Sequence, residues 1–288
     1  LATTRRNEAY LPGVELPASL KLETNLVRAT AGAELILFAV PSSAIRTTAN
    51  LLIGFSGIAV SVTKGIEHVT GLTMCDILAE VLPNASIAAL SGPSLALEVA
   101  KGVPTAVVAA SADEAVSAKV QSAFHRPAFR VYTSTDLRGV EMGGALKNVI
   151  AIAAGICDGL GFGDNSKAAL ITRAIAEIRR LGTACGAQAD TFAGLSGLGD
   201  LTVTCFSKLS RNRGFGERLG RGEKADEVLA HAQHVVEGFP TAQSAYQLAR
   251  KLKIETPIID EVYALLHKGK PVKQAITDLI GRDSKAED

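Results

Sequence analysis

Between residues 143 and 156 nearly every side chain is Gly, Ala, Val, Ile or Leu, and the exceptions, Lys147 and Asn148, stand side by side. A helix of this composition is apolar on all sides and belongs in an interior. A lysine enters an interior only with a partner, because desolvating its ammonium costs several kcal/mol unless a charge or ligand compensates. Either its stem packs while the head reaches water or a structural carboxylate, or a functional group meets it. A second polar cluster lies downstream: the Gly-rich stretch Gly194-Leu195-Ser196-Gly197-Leu198-Gly199-Asp200, then Ser207 and Ser210-Arg211-Asn212-Arg213-Gly214. A guanidinium fork, an amide, a hydroxyl and flexible backbone suit a phosphate, to which Arg donates two parallel hydrogen bonds. The competing reading is a surface loop with solvated arginines, in which Asp200 is a helix cap. Asp200 is also a natural partner for a buried lysine.

The elements that would position these residues fall into two kinds. Residues 35–40 form a short apolar run stopped by Pro41, which reads as a strand buried on both faces. Ser42 is then placed to cap a short helix to about residue 52. The alternation continues with strands at 58–62, 87–90, 105–109 and 129–132, and helices at 73–82, 95–101 and about 114–124. Strands alternating with helices at this spacing indicate βαβ units, hence an α/β chain with a doubly wound parallel sheet. After about residue 136 the pattern turns helical, at 140–156, 166–181, 241–252, 258–267 and 272–280. The expected organisation is a sheet domain over 1–138 and an all-α substrate and catalytic domain over 139–288. Residues 1–22 read as loop and 284–288 as a frayed tail.

In an open α/β sheet, ligands bind beyond the carboxyl ends of the strands. There the second run empties into Thr63-Lys64-Gly65 and the third into Ser91-Gly92-Pro93-Ser94. Glycines let a ligand approach the backbone and Lys64 adds a mobile positive charge, although a solvated lysine and an ordinary turn account for these residues singly. Tyr10, Phe124, Phe129 and Tyr132 read as packing.

Lys plus Arg number 30 against 29 for Asp plus Glu, a net charge of +1, so neither a nucleic-acid surface nor a basic membrane face is expected. The four dispersed cysteines and five histidines offer no metal-ligand spacing, and no metal is expected. No apolar run approaches the roughly 18 residues of a membrane span, and no signal peptide opens the chain. A reducing cytoplasm fits this composition.

Motifs along almost the whole chain resemble the bacterial-type NAD(P)-dependent glycerol-3-phosphate dehydrogenases. They are Tyr10-Leu11-Pro12-Gly13, Val40-Pro41-Ser42, Thr63-Lys64-Gly65-Ile66-Glu67, Ser91-Gly92-Pro93-Ser94, Gly139-Val140-Glu141, Gly144-Ala145-Leu146-Lys147-Asn148-Val149-Ile150-Ala151, Gly197-Leu198-Gly199-Asp200-Leu201, Ser210-Arg211-Asn212 and Val235-Val236-Glu237-Gly238. The resemblance implies a Rossmann domain joined to an all-helical domain with catalysis in the cleft between them. It implies interconversion of sn-glycerol 3-phosphate and dihydroxyacetone phosphate with NAD or NADP, supplying phospholipid synthesis. It further implies Lys147 as proton acceptor and Lys64 touching both substrate and cofactor. Gly92, Ser94, Asp200, Ser210, Arg211 and Asn212 would line the substrate, and Ala96, Arg211, Val235 and Glu237 would face the dinucleotide. A homodimer is expected. A lysine whose pKa is depressed by burial and by the Lys64 ammonium, held by Asp200, has the chemistry the reaction needs.

The chain departs from the family pattern in one respect. A Gly-x-Gly-x-x-Gly turn after a first strand, which holds a pyrophosphate, is absent from the sequence, since Gly54 and Gly57 precede a strand. The chain, which begins with Leu1, is therefore expected to lack the opening βαβ segment. It would then be either a shortened, inactive form of a working dehydrogenase or a defective relative. The alternatives are another two-domain enzyme of the hydroxy-acid or ketopantoate type, and a non-catalytic phosphate-metabolite binding protein.

Overall fold

The structure is a computed structural model describing residues 4–232 and 234–283; the expected tail at 284–288 lies outside the described residues. The chain opens with a hairpin of β1 (Arg6–Asn7) and β2 (Leu11–Glu15), then α1 (Leu26–Thr30). Next come β3 (Leu35–Phe38), α2 (Ile45–Asn50), β4 (Ile58–Ser61), α3 (Met74–Val81), β5 (Ser86–Ser91), α4 (Ala96–Ala100), β6 (Thr105–Ala110), α5 (Glu114–Phe124) and β7 (Phe129–Ser134). Helices follow: α6 (Leu137–Gly159), α7 (Asp164–Ala184), α8 (Asp200–Phe206), α9 (Arg211–Gly220), α10 (Ala225–Ala230), α11 (Gly238–Leu252), α12 (Pro257–His267) and α13 (Val272–Ile280).

The strands form one five-stranded sheet in the order β3-β4-β5-β6-β7. Alternate residues of β4 and β5 go to opposite faces: Ala59 packs with Ile45, Ile77 and Leu78 of α2 and α3, whereas Val60, Ala88 and Leu90 pack with Val116 and Val120 of α5. Both faces are therefore covered, as the apolar strand runs require.

The sheet is not wholly parallel, because β5 and β6 pair antiparallel. An apolar run buried on both faces reads the same whichever way the strand points, so the pattern does not fix strand direction. The pairs β3-β4, β4-β5 and β6-β7 are parallel as expected.

The segment expected as loop at 1–22 contains the β1-β2 hairpin instead. Strands of two and five residues carry too little alternation to be read from pattern. A side chain supports the turn base: the Arg5 guanidinium donates to the Leu16 carbonyl at 3.2 Å, to that of Leu20 at 2.8 Å, and to that of Pro17. Tyr10, at the hairpin tip, is exposed rather than packed and meets the His234 ring edge-on at 5.3 Å. Tyr132 is likewise exposed. Ser42 does not cap α2: Pro41 precedes a 3-10 turn at Ser42–Ala44 that leads into the helix, and the Ser42 hydroxyl is used elsewhere.

The core of the helical half is α6, which begins at Leu137, two residues before the expected start of that half. Its N-terminus is set by Asp136, whose carboxylate accepts from the amides of Gly139 (2.9 Å) and Gln188 (3.0 Å) and from the Thr191 hydroxyl (2.5 Å). With 23 residues, α6 is the one described helix long and apolar enough to cross a membrane, longer than the apolar runs expected from the sequence. Nine-tenths of that stretch is buried inside the protein, so its apolar surface is already covered by other helices. Glycines let α9 approach α6 with backbone on backbone. A Cβ at Gly155 would lie 1.9 Å from the Arg213 carbonyl oxygen, one at Gly159 2.2 Å from that of Glu217, and one at Gly216 2.0 Å from that of Ile152.

This contact generates a test. Gly155→Ala and Gly216→Ala should each reduce stability by about 1–3 kcal/mol through overpacking. Gly214→Ala, on the same helix with nothing within 4 Å, should be neutral or stabilise by up to about 1 kcal/mol. Urea unfolding separates the cases, and similar effects for all three would show that close backbone approach does not set this contact.

Candidate active site

Lys147 lies ten residues into α6, where a solvent-reaching head group is ruled out because the residue is only 6% exposed. Its ammonium is paired with Asp200 Oδ1 and donates to Thr204 Oγ1 at 2.8 Å. The Thr204 hydroxyl donates in turn to the Asp200 carbonyl at 2.6 Å, which leaves its lone pairs to accept from Lys147. Asp200 is the first residue of α8 and Thr204 stands one turn later on the same face. The other Asp200 oxygen, Oδ2, accepts from Lys64 Nζ at 2.5 Å, and Lys64 also donates to the Gly92 carbonyl at 3.3 Å. One buried carboxylate thus holds two ammonium groups, one from the helical half and one from the end of β4.

The electrostatics follow from that sharing. Burial, reinforced by the neighbouring Lys64 charge, brings the Lys147 pKa from 10.5 down to about 7, although Asp200 opposes the shift. Burial by itself would raise the Asp200 pKa, but the two ammonium groups outweigh it and keep the carboxyl below its usual range. The cluster therefore holds an ionised Asp200 beside an amine that exchanges a proton near neutrality. When Lys147 is neutral its two hydrogens can still serve Asp200 and Thr204, leaving the nitrogen lone pair for a third partner.

Glycines fix the surroundings. Gly92 has φ of +141°, and a Cβ there would lie 3.0 Å from Val107 Cα on the antiparallel neighbour β6. Its carbonyl also accepts from the Ser94 hydroxyl at 3.1 Å. A Cβ at Gly144, one turn before Lys147, would meet Ser91 Oγ at 2.8 Å and the Lys64 stem at 3.4 Å. The stretch expected as a phosphate-binding Gly-rich loop is instead a π-helical turn, Leu195–Gly199, laid against α6. A side chain at Gly143 would strike the Ser196 carbonyl at 2.6 Å, and one at Gly197 the Phe192 carbonyl at 2.2 Å. These glycines let the turn pack closely and lead into α8, whose Asp200 faces Lys147.

The remaining expected residues divide. Ser210 is the N-cap of α9, its buried hydroxyl accepting from the Arg213 amide at 3.2 Å. Asn212 is buried, donating to Asn148 Oδ1 at 3.0 Å and accepting from the Gly238 amide at 2.9 Å. That contact explains Asn148 and brings the Ser210-Arg211-Asn212 cluster to within one residue of Lys147. Arg211 is exposed, and its guanidinium has no side-chain partner among the described residues. Glu237 reaches the end of β3, accepting from the Ser42 amide at 2.9 Å and the Ser42 hydroxyl at 2.5 Å. Ala96 and Val235 are exposed, and neither is tied to the lysine pair.

Thr204 was not found from the sequence, although the i, i+4 spacing from Asp200 carried the signal. A second buried lysine, Lys167, was also missed; it pairs with Asp158, which in turn holds Arg213 at 2.6 Å. That network lies eleven residues, about 16 Å, further along α6 and away from the strand ends, so it ties helices together and does not compete for the site.

Residues 1–117 match the family described as NAD-dependent glycerol-3-phosphate dehydrogenase N-terminus, and residues 136–277 match its C-terminus. The chain belongs to the NAD-dependent glycerol-3-phosphate dehydrogenase family. It is 50% identical over 293 residues to the glycerol-3-phosphate dehydrogenase (NAD(P)+) of Geobacter sulfurreducens, covering 100% of this chain and 88% of that one. To the enzyme of the same name from Geobacter sp. strain M21 it is 49% identical, covering 99% and 87%. The crystal structure of glycerol-3-phosphate dehydrogenase from Coxiella burnetii superposes with a TM-score of 0.92 at 38% identity, covering 97% of this chain and 86% of that chain. A ketopantoate reductase from Ralstonia eutropha, at 18% identity and a TM-score of 0.50, shares the fold alone.

The shared carboxylate makes a pH prediction. An alcohol oxidation in which Lys147 takes the proton would need the neutral amine, so its rate should rise with pH and level off above a midpoint near 7. Lys64→Met removes the like charge and should move that midpoint upward by about one unit, as loss of a close cation does. A pH–rate profile for wild type and variant checks this; an unmoved midpoint would mean that Lys64 does not act on Lys147.

Proposed function

We propose that this chain interconverts sn-glycerol 3-phosphate and dihydroxyacetone phosphate with NAD or NADP, and that Lys147 is the proton acceptor and donor. The observation that carries the reading is the buried Lys147 amine, held by Asp200 and Thr204 with its pKa near neutrality beside a second ammonium. The residues at the strand ends suit the nicotinamide end of a dinucleotide, since Lys64 stands there between Asp200 and the Gly92 carbonyl. When bound, the dinucleotide supplies the hydride acceptor for the hydrogen on carbon 2 of glycerol 3-phosphate.

As that hydride departs, the carbon 2 hydroxyl loses its proton to Lys147 Nζ and becomes the carbonyl of dihydroxyacetone phosphate. In reduction Lys147 returns the proton to the same oxygen. Asp200 fixes the amine and balances the charge that forms on it, and Thr204 directs its lone pair. Lys64 places positive charge beside the reacting oxygen and is held by Asp200 and the Gly92 carbonyl. For the substrate's phosphate, the first turn of α9 is suited: Ser210 satisfies the Arg213 amide, which leaves the amides of Arg211 and Asn212 and the exposed Arg211 fork for an anion. We assign the sheet half to residues 1–138 and the helical half to 139–288, with the site between them. The product feeds phospholipid synthesis, and the working form is proposed as a homodimer.

Two substitutions test these roles. Lys147→Ala should lower kcat by about two to four decades while dinucleotide affinity is kept, and Lys147→Arg should not restore it, since arginine does not release its proton. Near-normal turnover in Lys147→Ala would move the proton role elsewhere. Arg211→Lys should raise KM for glycerol 3-phosphate about tenfold or more despite the kept charge, with little effect on the poor use of glycerol. Equal losses for both substrates would place Arg211 on the cofactor or in support of the fold.

A further inference from the structure

The Ser42 and Glu237 pair joins positions 195 residues apart, and both carboxylate oxygens are consumed in it, one by the Ser42 amide and one by its hydroxyl. Ser42 opens the turn after β3, while Glu237 immediately precedes α11. Gly65, the neighbour of Lys64, lies directly on this contact. A Cβ there would fall 2.7 Å from Ser42 Cβ, 3.1 Å from its hydroxyl and 3.9 Å from Glu237 Oε2. On the other side, the Gly238 amide donates to Asn212 and Asn212 donates to Asn148, next to Lys147. A Cβ at Gly238 would lie 2.5 Å from the Asn148 carbonyl, so α11 begins in backbone contact with α6. Ser42, Glu237, Gly238, Asn212 and Asn148 therefore form one continuous line from the end of β3 to the residue beside the proposed base.

We infer that Ser42 is a positioning residue for this reaction. With Glu237 it forms a clasp between the sheet edge and the helical half, and the clasp sets both the segment carrying Val235 and Glu237 and the turn carrying Lys64 and Gly65. Glu237 is then held in place by Ser42, through one hydrogen bond to each carboxylate oxygen. An alcohol side chain at residue 42 is what the clasp requires, since it supplies a second donor parallel to the backbone amide, and together they fix the carboxylate as a fork fixes it. The inference rests on the reading that the dinucleotide lies along these strand ends, but the clasp itself can be measured without it.

The experiment compares full-length wild type, Ser42→Ala and Ser42→Thr. Hydrogen–deuterium exchange should be about tenfold faster in Ser42→Ala for peptides covering 42–45 and 235–242, the usual effect of losing one hydrogen bond to a charged group. Peptides covering β7 should be unchanged. Kinetically, KM for the dinucleotide should rise severalfold with kcat within about twofold, and Ser42→Thr, which keeps a hydroxyl, should restore both readouts. Unchanged exchange in Ser42→Ala, or protection lost across the whole chain with kcat falling alongside KM, would overturn the inference. A wild type that does not oxidise glycerol 3-phosphate would defeat the proposed function, while the exchange measurement would still judge the clasp.

Discussion

Two lysines sharing the carboxylate of Asp200 form the interaction on which the rest of this structure depends. Moving the Lys147 pKa from 10.5 to about 7 corresponds to a penalty on the order of 5 kcal/mol for its charged form below neutrality. The fold supplies a counterweight through the helix that carries it. Leu146, Val149, Ile150 and Ile152 are fully buried around Lys147, and at about 1.5–3 kcal/mol each their burial exceeds the penalty. The arrangement is stable because the helix is apolar all round, and it is reactive for the same reason, since those neighbours keep water from the amine.

The penalty also fixes how stability depends on pH. Lys147 binds its proton less tightly in the folded chain than in the unfolded one. Between about pH 7 and pH 10 the unfolded chain therefore carries more protons at this position, and the group's contribution to stability rises with pH across that window. Glu177 and Glu141, whose pKa values burial lifts to about 7, act in the opposite direction. Each loses stability as pH rises from its ordinary 4.5 toward 7. Both keep structural partners: Glu177 accepts from the amides of Ile258 and Ile259 at the start of α12, and Glu141 from the Thr73 hydroxyl and the Cys75 amide at the start of α3. Glu141 thus ties the helical half to the sheet half and Glu177 ties two helices of the helical half, while the reactive lysine works against its own burial.

Much of this was legible in the sequence. Lys147 and Asn148 stand out because apolar periodicity makes any polar residue in that helix conspicuous, and the strand ends at Lys64 and Gly92 are marked by where the apolar runs stop. The contacts of Thr204 with Lys147 and of Ser42 with Glu237 were not legible, since they join residues 57 and 195 apart, although the i, i+4 spacing of Thr204 from Asp200 was visible. The reversal of β6 was hidden for a different reason. An apolar run marks where a strand lies but not which way it points, so an antiparallel strand reads like its parallel neighbours. The glycines of the 194–199 stretch were visible, but composition could not show that Gly197 is left bare against the Phe192 carbonyl.

The central claim is that Asp200 and Lys64 together set a buried amine that titrates near neutrality. The most direct measurement is the titration of the Lys147 side chain itself, followed by NMR on protein labelled at lysine Cε and Nζ, with Lys147→Met identifying the resonance. A midpoint near 7 in wild type is the predicted result, and a midpoint that stays above 9 would contradict the account.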